Sequence, residues 1–410
     1  MDAEEGREKK RVNLADYPSN RMVVQMGLHL LPREILLEIL SRLPITSLIH
    51  FKTTSHAGYD LIVDPRLPPM FRNRVSDSNP CLILFRNDSA ATRGLYFVGS
   101  EGCNRRVRRI DPPQLSEVDN LVGSCNGLLC VSYPNPTIDG SSATHSLLIY
   151  NPFVGDSVRV QPAIQPADQF LNQFEVFGFG FHPRTGEFKV VRIVSYEKIV
   201  TVANPNGFTT VYESMVQVFT VGTTEWRKKG APPEQLQYGS PPALVEGSLH
   251  WLMVGRMEEV GRISGIISFE LADEVFEEIP HPPCQQFVSR YCSLSVLNGC
   301  LSAAGLVDAV HFDIWVMKEY HVRESWVKQF SFDPRFLGGW PSFLGRFPKV
   351  ICALKNGEIL LQYNDSSLVS YDPVENRFKT LQIGGLSKQF QAFPFLPSLF
   401  SAKATMNLQL

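Results

Sequence analysis

The 410 residues, 44% hydrophobic and 20% charged, can bury a sizeable core, and a prior of roughly 150 residues per domain suggests two to three domains, or one large β domain beside a small one. Lys and Arg number 39 against 41 Asp and Glu, a formal charge of −2 that lacks the basic excess by which proteins grip nucleic-acid phosphates. No apolar run approaches the roughly 18 residues of a membrane helix, the charged opening MDAEEGREKKRVNLADYPSNR has no apolar signal region, and the eight cysteines form no CxxC pair, so reduced thiols in a cytoplasmic or nuclear protein are expected.

Residues 1–27 are polar and of mixed charge, and disorder is expected there. From Leu31 the pattern turns helical: in LPREILLEILSRLP, the residues Ile35, Leu36, Ile39, Leu40 and Leu43 repeat with the 3.6-residue period of an apolar stripe. Pro32 suits a first helical turn, where its missing N–H has no intrahelical partner to lose. Glu34 suits the positive end of the helix dipole, and Pro44 stops the pattern. A second short helix follows in TSLIHF, with Leu48, Ile49 and Phe51 apolar, and a third stretch, YDLIV, ends at Asp64-Pro65. These define an expected helical module over 28–70.

After about residue 80, short runs rich in Val, Ile, Phe, Tyr and Trp alternate with Gly, Pro, Asn and Asp, which is the chemistry of strands and turns. A turn glycine followed by a β-run recurs at Gly127, Gly186, Gly247, Gly299 and Gly357, at spacings of 59, 61, 52 and 58 residues. Most are followed by a second hairpin, as in LLIYNPFVGDSVRV, VQVFTVGTTEWRKKG and LVSYDPVENRFKTL. Two hairpins per repeat make one propeller blade of about 50 residues. The expected fold is therefore mostly β, with a β-propeller-like domain of about six blades over 80–400 and CLILF…GLYFV…VRRI as an irregular first blade. A two-layer sandwich would supply strands but no reason for the period.

Residues 31–67 carry more than ten large apolar side chains in a segment too short to sustain its own core readily, and no cysteine or metal cluster supports it. Either the β domain covers this apolar surface or another protein's helices do. The string LPREILLEILSRLP, followed by Ser47, Leu48 and Phe51 and then by Leu61, Ile62, Asp64, Pro65 and Arg66, resembles an F-box. That module docks onto the adaptor Skp1 in SCF-type ubiquitin ligases. GSCNGLLCV, IYNPFVGDS, FGFGFHPRTGEFKVV, PALVEGSLHWL and FDIWVMKEY are similar to the F-box-associated, kelch-like domain of plant F-box proteins. The resemblance implies a three-helix module that contacts Skp1, and through it a cullin, by way of Leu31, Pro32, Ile35, Leu36, Ile39, Leu40, Leu43, Pro44, Leu48 and Phe51, side chains buried partly against Skp1 and partly within the module. It implies a β domain that receives an unidentified target protein for ubiquitination, with no catalytic residue, cofactor, metal, nucleic acid or membrane involved. The sequence departs from the family at Thr53–Tyr59, where a hydrophobic, Trp-containing run is usual. Polar Thr and Ser at buried positions and a Gly58 that weakens its helix by roughly 1 kcal/mol are the expected consequence. The alternative that follows is an interaction protein whose degenerate F-box no longer binds Skp1.

Other chemistries find less support. Gly123-Ser124-Cys125-Asn126-Gly127 fits a nucleophile elbow in spacing, but a β-run follows where that elbow needs a helix. Gly178-Phe179-Gly180 lacks the third glycine and the helix of a dinucleotide loop. The nine histidines show no HxH or HExxH spacing, and His281-Pro282-Pro283-Cys284 reads as a turn rather than a metal pair. Arg105–Arg109 is expected to protect an exposed strand edge, and the tryptophans to pack blades. A propeller-class enzyme would need His, Tyr, Cys or carboxylates gathered from distant positions into the channel.

Overall fold

The computed structural model describes residues 31–64, 66–75, 79–86, 93–100, 105–112, 115, 118–135, 144–163, 173–201, 208–232, 236–237, 241–254, 263–283, 292–307, 311–337, 347–384 and 389–403. The expected disordered segment 1–27, together with Pro65, Cys103, Cys284 and Trp340, lies outside them. The chain divides into two compact units, Met1–Arg74 and Val75–Leu410.

The first unit contains α1 (Arg33–Ser41), α2 (Ile45–Thr54), α3 (His56–Ile62) and α4 (Leu67–Val75). The three expected helices are present, and a fourth extends past the anticipated limit at residue 70. Pro32 and Pro44 each sit at the N-cap, one residue before the helices they were expected to open and to separate. The Pro32 carbonyl accepts from the Ile35 and Leu36 N–H groups, and the Pro44 carbonyl from Ser47 and Leu48, so each proline starts a helix while donating nothing. Both α1 and α2 pack on α3.

The second unit is a ring of antiparallel sheets. After β1 (Cys81–Arg86), β2 (Gly94–Val98) and β3 (Arg105–Ile110), five consecutive four-stranded sheets follow. They are β4 (Asn120–Cys125), β5 (Leu128–Asn135), β6 (Thr144–Tyr150) and β7 (Ser157–Val160); β8 (Gln173–His182), β9 (Glu187–Thr201), β10 (Phe208–Thr220) and β11 (Trp226–Lys229); β12 (Ala243–Val245), β13 (Ser248–Val254), β14 (Ile263–Glu270) and β15 (Val275–Ile279). The last two are β16 (Cys292–Leu297), β17 (Cys300–Val307), β18 (His311–Met317) and β19 (Trp326–Phe332); and β20 (Lys349–Ala353), β21 (Ile359–Tyr363), β22 (Ser367–Asp372) and β23 (Arg377–Leu381). The chain then returns: β24 (Ile383–Gly384) adds in parallel to β3, and β25 (Gln391–Phe395) pairs with β1. The first strands of neighbouring sheets touch in a closed cycle through β25, β4, β8, the β12–β13 hairpin, β16 and β20. This is a six-bladed propeller whose irregular first blade takes its innermost strand from the far end of the chain.

The five repeat glycines all lie in the turn between the first and second strands of a blade, with φ from +70° to +87°. Asn126-Gly127, Glu246-Gly247 and Asn298-Gly299 form two-residue turns with both φ values positive, the hairpin geometry that glycine favours. The core is the set of blade-to-blade interfaces. One cluster joins Leu128, Ile149, Phe179, Phe188 and Trp226; the next joins Val191, Val218, Leu249, Trp251 and Phe269. Two tryptophans also tie blades by hydrogen bonds, Trp226 Nε1 donating to Gln161 O at 2.8 Å and Trp326 Nε1 to Pro280 O at 2.7 Å.

Candidate functional site: an apolar helical surface and the loop end of the propeller

The nine-residue α1 places aliphatic side chains on opposite sides of one helix. Leu37 and Leu40, about a turn apart, are buried, and Leu37 retains only 1% exposure. Ile35 and Ile39 lie on the other side, 48% and 46% exposed, with Leu31 equally open just before the helix. Of the ten expected docking residues, Leu31, Pro32, Ile35, Ile39 and Pro44 are exposed, and Leu36, Leu43 and Phe51 are half-buried. Leu40 and Leu48 are buried and so act as core; they are not available to a partner. Sequence reasoning missed Leu37, the most buried residue of α1, and it missed as exposed apolar groups Tyr59 on α3 and Val63 just past its end, each 49% exposed. The four-residue spacing of Tyr59 and Val63 was the signal available.

The expected weakness at 53–59 is corrected by the geometry. Thr53 and Thr54 are exposed, with their hydroxyls donating to the His50 and Phe51 carbonyls, so no apolar burial is lost there. Ser55 caps α3, its Oγ accepting from the Gly58 N–H at 3.0 Å. Gly58 is buried where α3 crosses α2, and a Cβ added there would stand 2.5 Å from the Phe51 carbonyl oxygen. Glycine is what allows this close approach.

A single carboxylate fixes the register of the helices. Asp64, nearly buried, accepts from the Arg66 N–H at 3.0 Å, from the Arg66 guanidinium at 3.0 and 3.1 Å and from Arg33 Nε at 2.8 Å. The Arg66 hydrogen bonds, assisted by Arg33, hold its pKa well below the usual carboxylate range. Arg33 also donates to the Asp60 carbonyl, which joins the start of α1 to α3.

In the five consecutive four-stranded blades, the first-to-second and third-to-fourth connections lie at one end, and the second-to-third connections and the links between blades at the other. The first end is made mostly of short turns, the longest of these connections being Lys318–Ser325 between β18 and β19. At the second, the described strands of successive blades are separated in sequence by 12 to 16 residues, 161–172, 230–242, 280–291 and 333–348. Near this loop end, a chain of alternating charges crosses three blades. The His145 ring lies between Asp119, 2.8 Å from Nε2, and Glu175, 3.3 Å from Nδ1. Glu175 in turn pairs with the buried Arg192, and Arg93 lies 3.7 Å from Asp119. The Glu175 hydrogen bond raises the His145 pKa, burial opposes it, and Asp119 adds to the rise.

The remaining chemical motifs are structural. Gly123–Gly127 is the end of β4 and its hairpin turn, and burial pushes the Cys125 thiol up to about 12, the reverse of an activated nucleophile. Gly178 and Gly180 lie inside β8. His250 is buried between Ala243 O and the Tyr320 hydroxyl, and His281 Nδ1 faces the Pro282 carbonyl. Arg108 and Arg109 are exposed on β3, whose outer side β24 partly covers. Among the described residues no three His, Cys, Asp or Glu are grouped to hold a metal ion, and no helix is long and apolar enough to cross a membrane.

Comparison with known families decides what this arrangement is. The F-box domain matches residues 28–69 and the F-box associated beta propeller domain residues 103–401. The chain belongs to the plant F-box proteins that carry an F-box-associated propeller. It is 34% identical over 396 residues to F-box protein At3g07870 of Arabidopsis thaliana, which spans 89% of this chain and 90% of that protein. F-box protein CPR1 of the same plant is 26% identical over 397 residues, covering 92% and 90% of the two chains. The F-box/kelch-repeat protein At3g23880 is 25% identical over 323 residues, covering 74% and 79%. The helical unit is thus the F-box, the propeller is the F-box-associated domain, and together they have the architecture of a substrate adaptor.

Proposed function

We propose that this protein is the substrate-recognition subunit of an SCF-type ubiquitin ligase, docking a Skp1-type adaptor through its F-box and a target protein through the loop end of its propeller. The observation that carries the reading is the row of Leu31, Ile35 and Ile39, left in water on the side of α1 opposite Leu37 and Leu40. An aliphatic face of this kind contributes roughly 1.5–3 kcal/mol per side chain when another surface buries it. The chain itself performs no bond chemistry. By holding target and charged ubiquitin-conjugating enzyme on one cullin scaffold, it turns lysine modification into an intramolecular event at an effective concentration of about millimolar. The place of action is the cytoplasm or nucleus, where such ligases meet their targets. The loop end is the target-receiving end because long, variable connections on a rigid scaffold are where recognition residues accumulate.

Co-purification tests the assignment. The full chain should retain a purified Skp1-type adaptor, and Ile39→Asp should release it. A Leu40→Asp variant cannot serve, because Leu40 is core and its loss would report folding. Failure of the native chain to retain the adaptor would leave an interaction protein acting through its propeller alone.

A further inference from the structure

The seam where the last blade meets the first is pinned at the loop end. Gln362 donates from its amide to the Phe390 carbonyl and accepts from the Ala392 N–H at 2.8 Å, while the Phe390 N–H donates to the Asp365 carbonyl at 2.7 Å. Directly opposite Gln362 in the sheet register stands Lys349, the first residue of the innermost strand β20. Lys349 is half-buried, and its ammonium makes no hydrogen bond or ion pair among the described residues. Its Nζ lies 5.8 Å from the centre of the Phe393 ring, on the neighbouring innermost strand β25.

Two enclosed cations of this propeller, Lys189 and Arg192, are treated differently. Lys189 meets Glu274 at 2.9 Å, and Arg192 meets Glu175. An ammonium taken partly out of water without a carboxylate is costly, and an aromatic face returns only about 0.5–2 kcal/mol. Burial lowers the Lys349 pKa, and the exposed Asp365 opposes this without reaching contact. A cation held against an apolar wall, on a strand fixed from both sides, is a pre-set counter-charge lacking its anion.

We propose that Lys349 is an anion-receiving residue at the loop end of the propeller, taking a carboxylate or phosphate group carried by the target protein. This rests on the reading that the loop end receives the target, and it gives that target a chemical requirement: an acidic or phosphorylated side chain that reaches the seam between the last and first blades.

Trace acetylation of the full chain, read lysine by lysine by mass spectrometry, tests it with three additives: inorganic phosphate, an N-acetylated Glu-Glu amide, and sodium chloride at matched ionic strength. Phosphate or the dipeptide should slow acetylation of Lys349 selectively, about tenfold at roughly ten times the dissociation constant, and chloride should not. The stronger of the two probes identifies the source of the anion. In a parallel titration, Lys349→Met should abolish binding of that probe while leaving the melting temperature unchanged. Protection equal to that by chloride, no selective protection, or undiminished probe binding by Lys349→Met would overturn the assignment. Adaptor retention, measured on the same preparation, distinguishes that outcome from failure of the docking reading.

Discussion

A methyl group at position 58 would press into the Phe51 carbonyl, so the exchange that usually strengthens a helix should here do harm. Gly58→Ala is expected to destabilise the F-box by about 1–3 kcal/mol, the cost of overpacking, in place of the roughly 1 kcal/mol gain seen at an open helical site. Chemical denaturation followed by far-ultraviolet circular dichroism measures the sign directly. The same residue-level contrast runs along α1. Leu40→Asp buries a carboxylate with no partner and should unfold the module, whereas Ile39→Asp, on the exposed side, should change stability by no more than about 0.5 kcal/mol. Which side of α1 faces inward was not legible in the sequence, because apolar residues occupy both. Periodicity located the helix and the two prolines its ends, but the family resemblance placed Leu40 among the docking residues, and Leu37 was overlooked.

At the scale of elements, turns from one blade fasten its neighbour through charge. Glu274, in the β14–β15 turn, meets Lys189 at 2.9 Å, Lys229 at 2.7 Å and Arg227 on the preceding blade. Burial would raise its pKa, but the hydrogen bonds from Lys229, Lys189 and Arg227 prevail and hold it at about 2. A depressed carboxylate stabilises the fold above its unfolded pKa of roughly 4.3, and that contribution is lost as pH falls toward 2. Glu274→Gln should therefore cost about 1–2 kcal/mol at neutral pH, since Lys229 and Arg227 are partly screened by water and Lys189 keeps Glu187, and it should flatten the acid limb of a stability–pH curve. His145 has the opposite sign. Both ring nitrogens face carboxylates, an arrangement that only the imidazolium satisfies by donating twice. Its contribution is complete below the unfolded pKa of roughly 6.5 and is lost as pH rises through the higher folded value. The native chain should lose thermal stability as pH rises through that value, and His145→Gln should remove this decline. Neither tie is visible in the sequence, since His145 and Glu175 are 30 residues apart and no local pattern joins them.

For the whole molecule, closure comes from the end of the chain. Truncation after residue 388 removes β25, the innermost strand of the first blade, and should leave an expanded protein with a broadened unfolding transition by size-exclusion chromatography and calorimetry. Truncation after Phe395 keeps that strand but removes Ser398, Phe400 and Ala402. Asn151 donates to the Ser398 and Phe400 carbonyls, and Ala402 is fully buried, so the melting temperature should fall while closure survives. The repeat was legible because five of the six blades need a residue able to take positive φ in their first turn, a local demand that writes Gly into the sequence at near-constant spacing. The closing strand carries no such mark: QAFPF has no repeat glycine before it and pairs with a strand more than 300 residues away. The exposed aliphatic row of α1 remains the point from which the function follows. Calorimetric titration of the full chain with a purified Skp1-type adaptor tests it most directly, comparing the native protein with the double variant Ile35→Asp, Ile39→Asp at equal melting temperature. The account predicts a native dissociation constant of about micromolar or tighter, a negative heat-capacity change, and a loss of about 100-fold or more in the variant. Equal affinity of the two proteins, or no binding by the native chain at micromolar concentration, would contradict it.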